Sequence, residues 1–364
     1  MKMGSQLNLS GHRRVVTSVA WNPDGTRLLT GSWDQTAKVW DAMAGFDVAG
    51  WPIDIATVPA LAWNPSATRF VAGTMDNTAK VRDAMNGKEI LALKGHRQAA
   101  WAVSWSQDGM RIATGSWDAT AKIWDARSGE ELQTLKGHTG IIFTVAFSDD
   151  GERVATGDVN GHIKIWETKT GRLLLSIKGH LTVVKTLSWS ADGTRLVTGG
   201  VDKMVKVWDT KNADLVGLLR GHKGWVHGVA MSADGSRVAS ASLDSTVRIW
   251  NLKMGGSVVL NGHTAGVHTL VWNADGSRLA SAGDDRTVRI WDGQTGAELL
   301  TLKGHPNSIW SLAWSRDGTK IITGDQGGLV KVWDSRPFLE SRPREMEIVP
   351  ELAPAPRPAH DGRR

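Results

Sequence analysis

The sequence predicts an all-β protein assembled from eight repeated units of four antiparallel strands. Three observations carry that prediction. A pair of short motifs recurs every 41 or 42 residues, short apolar runs fill each period, and Asp-Gly turns fall at a fixed place between the runs.

A Gly-His pair opens seven units, at Gly11-His12, Gly95-His96, Gly137-His138, Gly179-His180, Gly221-His222, Gly262-His263 and Gly304-His305. A Trp-Asp or Trp-Asp-like pair closes them, at Trp40-Asp41, Trp124-Asp125, Trp166-Glu167, Trp208-Asp209, Trp250-Asn251, Trp291-Asp292 and Trp333-Asp334. The 84 residues from Gly11 to Gly95 hold two periods, so a degenerate unit lies between them. It is marked by Ala62-Trp63-Asn64-Pro65 and Val81-Arg82-Asp83 in register, with Ile53-Asp54 in the Gly-His position. Eight units result.

Each unit reads as short strands. Val145-Ala146-Phe147 leads through Asp150-Gly151 into Arg153-Val154-Ala155-Thr156, and Asp-Gly between apolar runs is a hairpin signal because glycine accepts positive φ. A second turn precedes Ala121-Lys122-Ile123-Trp124, and a third, at Ser128-Gly129, precedes Leu132-Gln133-Thr134-Leu135.

Composition narrows the function classes. Of 364 residues, 41% are hydrophobic, enough for a sizeable core, and none is cysteine, which excludes disulfides, thiolate metal ligands and cysteine nucleophiles. The first ten residues lack the apolar run of a signal sequence, and no stretch approaches the roughly 20 apolar residues that span a bilayer. A soluble, cytoplasmic protein with no membrane partner is expected. The net charge of +6 raises the question of nucleic acid. The basic residues, however, are spread evenly: one two positions before each closing tryptophan or the Arg82 that replaces it (Lys38, Lys80, Lys122, Lys164, Lys206, Arg248, Arg289, Lys331) and one after each first turn. Such a ring reads as a solvated outer strand face, not a nucleic-acid stripe. No phosphate loop, His-Glu-x-x-His or Gly-x-Ser-x-Gly motif occurs, and His162, His227, His268 and His360 have no ligand spacing. No cofactor or metal is expected.

The paired motifs resemble those of the WD-repeat family, over about residues 5–334, and the near-uniform repeats are like those of its prokaryotic members. The resemblance implies a single eight-bladed β-propeller over residues 1–334, four antiparallel strands per blade, followed by a Pro-rich tail over 335–364 without periodicity. It also implies that Gln6-Leu7-Asn8-Leu9 is the outer strand of the last blade and clasps the ring shut. Seven blades, commoner in the family, would leave one in-register unit outside the ring.

Ser/Thr, His and Asp recur together and superficially suggest a hydrolase triad. In WD repeats the same residues form a structural network, with tryptophan donating to Ser/Thr, which meets histidine, which meets a turn aspartate. Carried over, the sets are His12, Thr30, Asp34, Trp40; His96, Thr114, Asp118, Trp124; His180, Thr198, Asp202, Trp208; His222, Ser240, Asp244, Trp250; and His263, Ser281, Asp285, Trp291. Five-fold repetition argues against catalysis, so no catalytic residue is assigned and the chain is read as a non-enzyme. Asn160 and Gly327 replace the turn aspartate in the fourth and eighth units, where a differently shaped turn is expected. The second unit has Asp54 for His, Ala72 for Ser/Thr and Arg82 for Trp, and an Asp54–Arg82 ion pair is expected to bridge the vacated space.

The family also places three positions per unit on the face that carries the second-to-third-strand turns. Here they put Trp33, Trp101, Trp117, Phe143, Lys185, Trp225, His227, His268 and Trp310 on that face. Exposed aromatics bury large areas with few rotatable bonds and are enriched at binding hot spots. The expected function is a non-catalytic scaffold, a monomeric ring presenting this face to a protein or peptide and acting as a docking or sensing module in signalling. The alternative is a propeller enzyme or small-ligand binder using the central channel. The mostly Val, Ala, Leu, Ser and Thr first strands speak against it.

Overall fold

The computed structural model describes residues 6–42, 47–52 and 58–335. The Pro-rich tail beyond Ser335 lies outside them. Within them the chain forms eight four-stranded antiparallel sheets, arranged as the blades of a propeller. The third blade is typical: an inner strand Ala100–Trp105, then Arg111–Ser116, Ala121–Asp125 and an outer strand Glu131–Leu135. Inner strands of successive blades are neighbours round the ring, and the inner strand of the eighth blade, Ile309–Trp314, packs against that of the first, Val16–Trp21.

The ring closes as the repeat order implies. Gln6–Leu9 pairs antiparallel with Val330–Asp334, Leu7 opposite Val332 and Leu9 opposite Val330. The first strand thus completes the last blade, and eight blades, not seven, make the ring.

Local chemistry sets the turns. Asn22 N–H donates to Arg27 O (3.0 Å) across the first loop, while Gly25 sits at φ 73° in the left-handed region that glycine enters without cost. The aspartate of the closing Trp-Asp pair holds the third loop: Asp125 Oδ1 accepts from Arg127 N (2.8 Å) and Ser128 N (2.7 Å).

The core lies between blades. Ala113, Ala121 and Ile123 of the third blade pack on Ile142, Val145, Val154 and Trp166 of the fourth. Second strands are buried on both faces, which is why Arg153–Asp158 is buried at every position after Arg153. Blades approach closely there: a Cβ on Gly115 would lie 2.7 Å from Ile142 Cγ2 of the next blade, so a side chain at that position would force the blades apart.

The basic ring is not the solvated face expected. Lys80, Lys122, Lys164 and Lys331 are buried. Lys122 lies over the Trp124 ring and donates to Glu131 Oε2 (2.7 Å) and Thr134 Oγ1 (2.8 Å), because the outer strand covers its aliphatic stem. Three of the arginines after the first turn, Arg153, Arg237 and Arg278, staple blades together. Arg153 stacks 5.1 Å from the Trp189 ring of the next blade and donates to Gly193 O (2.8 Å) and Thr210 Oγ1 (3.1 Å).

Candidate protein-interaction face

A polar chain runs inside seven of the eight blades and is distinct from the face. Trp124 Nε1–H donates to Thr114 Oγ1 (2.9 Å), Thr114 Oγ1 lies 2.6 Å from His96 Nε2, and His96 Nδ1 lies 3.0 Å from Asp118 Oδ2. A carboxylate only accepts, so Nδ1 carries the proton and Nε2 takes the threonine hydroxyl proton. The same chain joins Trp40, Thr30, His12 and Asp34, with links of 2.9, 2.7 and 3.0 Å. It joins Trp208, Thr198, His180 and Asp202 at 2.9, 2.8 and 2.8 Å. Serine serves in the sixth blade (Trp250, Ser240, His222, Asp244) and the seventh (Trp291, Ser281, His263, Asp285).

Two further blades carry the chain where a differently shaped turn was expected. His138 Nδ1 meets Asp158 Oδ2 at 2.8 Å and His305 Nδ1 meets Asp325 Oδ2 at 3.0 Å, with Thr156–Trp166 and Thr323–Trp333 completing them. The aspartate has moved two residues back, from the turn to the end of the second strand. The turn itself is not differently shaped: Gly161 and Gly328 are left-handed at the position where Gln35, Ala119 and Lys203 are left-handed in other blades, so the carboxylate moved without the backbone. The signal was present as Gly157-Asp158 and Gly324-Asp325.

In the second blade Asp54 lies outside the described residues. Buried Arg82 donates to Gly87 O (2.9 Å) and pairs with Glu89 at 3.6 Å.

The face is built by a device that the repeat does not reveal. Seven inner strands carry a register irregularity at one place: Ala100 pairs with Ser116 and Ala102 with Gly115, leaving Trp101 as the extra residue. The extra residues in the other six are Thr17, Phe143, Lys185, His227, His268 and Trp310. A β-bulge re-aims a side chain out of the alternation of its strand. The repeated bulge therefore presents one residue from each of these seven blades around the axis. The second-to-third turns reach the same rim, since Trp117 N–H donates to Ala99 O (3.0 Å) and Leu243 N–H to Trp225 O (3.0 Å).

Two linked clusters result. Trp101 lies 5.5 Å from Trp117 and 5.4 Å from Phe143, ring centre to ring centre, and Lys185 Nζ sits 4.2 Å over Phe143. Trp225 stacks on His227 (6.4 Å, 8°), His227 contacts His268 (5.1 Å), and His268 stacks on Trp310 (4.7 Å, 15°). Asp284 Oδ1 accepts from His268 Nε2–H at 2.8 Å. Trp33, 40% exposed, stands apart, with no ring contact to either cluster among the described residues. The aromatics expected to crowd one face form a band over the third to eighth blades. Thr17 is tied to Val58 O (2.6 Å) of the second blade instead.

Burial pushes the Lys185 ammonium below the usual lysine range. Burial, then the Lys185 charge and His268, hold His227 down at about 3, so His227 is neutral.

At the other mouth of the ring a recess of about 230 Å³ is lined by Trp21, Pro23, Trp63, Pro65, Trp105 and Trp314 among others. Its tryptophans largely serve the ring: Trp21 Nε1–H donates to Ala313 O (3.3 Å) and Trp63 Nε1–H to Ala20 O (3.3 Å), each in the preceding blade.

Eight four-stranded blades, seven of them locked by a Trp–Ser/Thr–His–Asp chain, define a propeller of WD-type repeats. The family described as WD domain, G-beta repeat matches residues 4–41, 55–83, 87–125, 129–167, 171–209, 213–251, 257–292 and 296–334, and the chain belongs to it. The crystal structure of the computationally designed Ika8 protein is similar, with a TM-score of 0.81 and 29% identity over 90% of this chain and 98% of that one. Among curated proteins, the Ribosome biogenesis protein WDR12 homolog of Drosophila sechellia is 58% identical over 36 residues, 10% of this chain and 8% of that protein. THO complex subunit 3 of Arabidopsis thaliana is 58% identical over 31 residues, 8% and 10% respectively. The chain thus covers about a tenth of the length of these relatives. No helix among the described residues is long and apolar enough to cross a membrane.

Proposed function

We propose that this propeller is a non-catalytic interaction scaffold whose bulge-borne aromatic band receives a protein or peptide partner. The observation that carries the reading is the band itself: Trp101, Phe143, Lys185, His227, His268 and Trp310 are each the residue that breaks the strand register. The seven network histidines, by contrast, are spent on hydrogen bonds within their own blades. Relatives whose names place them in ribosome biogenesis and a THO complex favour a role in assemblies. In this reading the ring is a cytoplasmic, monomeric docking module, and any signalling effector acts in trans.

Affinity capture with the intact ring beside Trp101→Ala/Trp117→Ala tests it. The expected result is a specific partner retained by the first and lost by the second, with thermal unfolding unchanged. Capture indifferent to the substitutions overturns the reading.

A further inference from the structure

Within the aromatic band, the fifth to seventh blades differ from the rest in chemistry. Their extra residues are Lys185, His227 and His268 rather than apolar rings. Lys185 is partly buried, and its ammonium faces Phe143 at 4.2 Å. Its ammonium makes no hydrogen bond or ion pair with a carboxylate or carbonyl among the described residues. A buried ammonium supported only by a ring face is under-compensated, since cation–π attraction replaces only part of its hydration.

Beside it, the histidines form a directed relay. Asp284 accepts from His268 Nε2–H (2.8 Å), which leaves His268 Nδ1 to accept from His227 Nδ1–H (3.3 Å). His227 Nε2 is left as a bare acceptor, buried and without a hydrogen-bond partner. Trp310 Nε1–H is likewise buried and unpartnered. One stretch of the rim thus holds a cation needing an anion, an acceptor needing a donor, and flat apolar walls from Phe143, Trp225 and Trp310.

We infer that this stretch is a carboxylate-recognition subsite, in which Lys185 binds the carboxylate of an acidic peptide segment and His227 Nε2 accepts an N–H beside it. The inference rests on the partner-binding reading of the face. A single lysine charge matches a monoanion, and the Asp284 carboxylate, partly exposed behind His268, disfavours a dianion such as phosphate. A quaternary or methylated ammonium, which aromatic walls would otherwise suit, is repelled by Lys185. The carboxylate comes from an acidic side chain or from a chain terminus, and both place an N–H a few bonds away.

Isothermal titration with four acetylated peptides separates these sources. Ac-Gly-Glu-Phe-NH2 is set against Ac-Gly-Gln-Phe-NH2 for the side chain, and Ac-Gly-Phe-OH against Ac-Gly-Phe-NH2 for the terminus. At least one acid should bind about ten-fold more tightly than its neutral partner, an advantage that Lys185→Met abolishes while thermal unfolding is unchanged. His227→Phe, which keeps the wall but not the acceptor, should weaken the preferred acid several-fold. Equal binding of acid and neutral peptides, or full binding by Lys185→Met, overturns the subsite. Equal binding that Trp310→Ala removes would overturn the carboxylate alone and leave the docking face standing. Absence of any peptide binding at millimolar concentration also overturns the subsite, with the face then judged by the Trp101→Ala/Trp117→Ala capture.

Discussion

His138 Nδ1 lies 2.8 Å from Asp158 Oδ2, although Asp158 stands two residues ahead of the position from which other blades send their aspartate. Asp158 occupies the strand-end position that Ser32 and Ser116 hold elsewhere, and the next blade-turn residue of interest, Asn160, caps Thr139 instead. Asp158→Ser should therefore cost about 1–3 kcal/mol, the penalty for a buried group left unpaired. Asn160→Asp alone sets a second carboxylate beside the first and should not stabilise. Together, Asp158→Ser/Asn160→Asp should recover most of the loss by returning the blade to the common pattern. Urea unfolding of the four proteins measures the cycle, and strict additivity would refute the transposition.

Thr114 is the pivot of its blade: it receives Trp124 Nε1–H and meets His96 Nε2, and it is fully buried. Thr114→Val keeps the shape but orphans both partners, so a loss of about 1–3 kcal/mol is expected. Thr114→Ser should cost less than half of that, because Ser240 and Ser281 hold the same post in two other blades. Denaturant midpoints decide between them, and equal losses would show that the methyl matters more than the hydroxyl.

The networks also predict an acid limb. Burial raises Asp118, but hydrogen bonds from Thr120 and the Arg97 N–H outweigh it and bring the carboxyl down to about 2. Asp244 is held at about 2 in the same way by Thr246 and Lys223 N–H, and Asp285 at about 2 by His263. Burial lowers His96, His138, His222 and His305 from 6.5, although their aspartate partners oppose it. Every one of these folded-state values is lowered, so each group adds stability above its unfolded value and surrenders it as pH falls. Melting temperature should decline below pH 6.5 and drop more steeply between 3.8 and about 2. A melting temperature flat from neutrality to pH 3 would contradict this (circular dichroism from pH 7 downward is sufficient).

The period, the four strands of a blade and the closing strand were legible because glycine turns and buried tryptophans leave fixed marks in sequence. Asp158 and Asp325 were not, because transfer by position assumes one register, whereas the histidine needs only a carboxylate within reach. The bulges were hidden for the opposite reason. An extra residue shared by seven blades leaves the period unchanged, so nothing in the spacing betrays it. Lys122 was misread because strand alternation gives the side on which a residue points but not what covers it; here Glu131 and Thr134 of the outer strand do.

Closure offers the sharpest mechanical test. Leu9 is 1% exposed, and Leu7 and Leu9 pack with Val16, Val19, Val330 and Val332 where the first and last blades meet. Removing residues 1–9 would strip the ladder from Val330–Asp334 and leave a free edge of unpaired N–H and C=O groups. Burial of Leu9 alone contributes about 2 kcal/mol, and the lost ladder adds to it. The truncated ring should therefore melt several degrees lower and self-associate through the bare edge. Light scattering with thermal melts reads both, and adding a peptide of residues 1–12 in trans should reverse the association. A truncated protein that stays monomeric at unchanged melting temperature would mean that the eight blades hold the ring without their clasp.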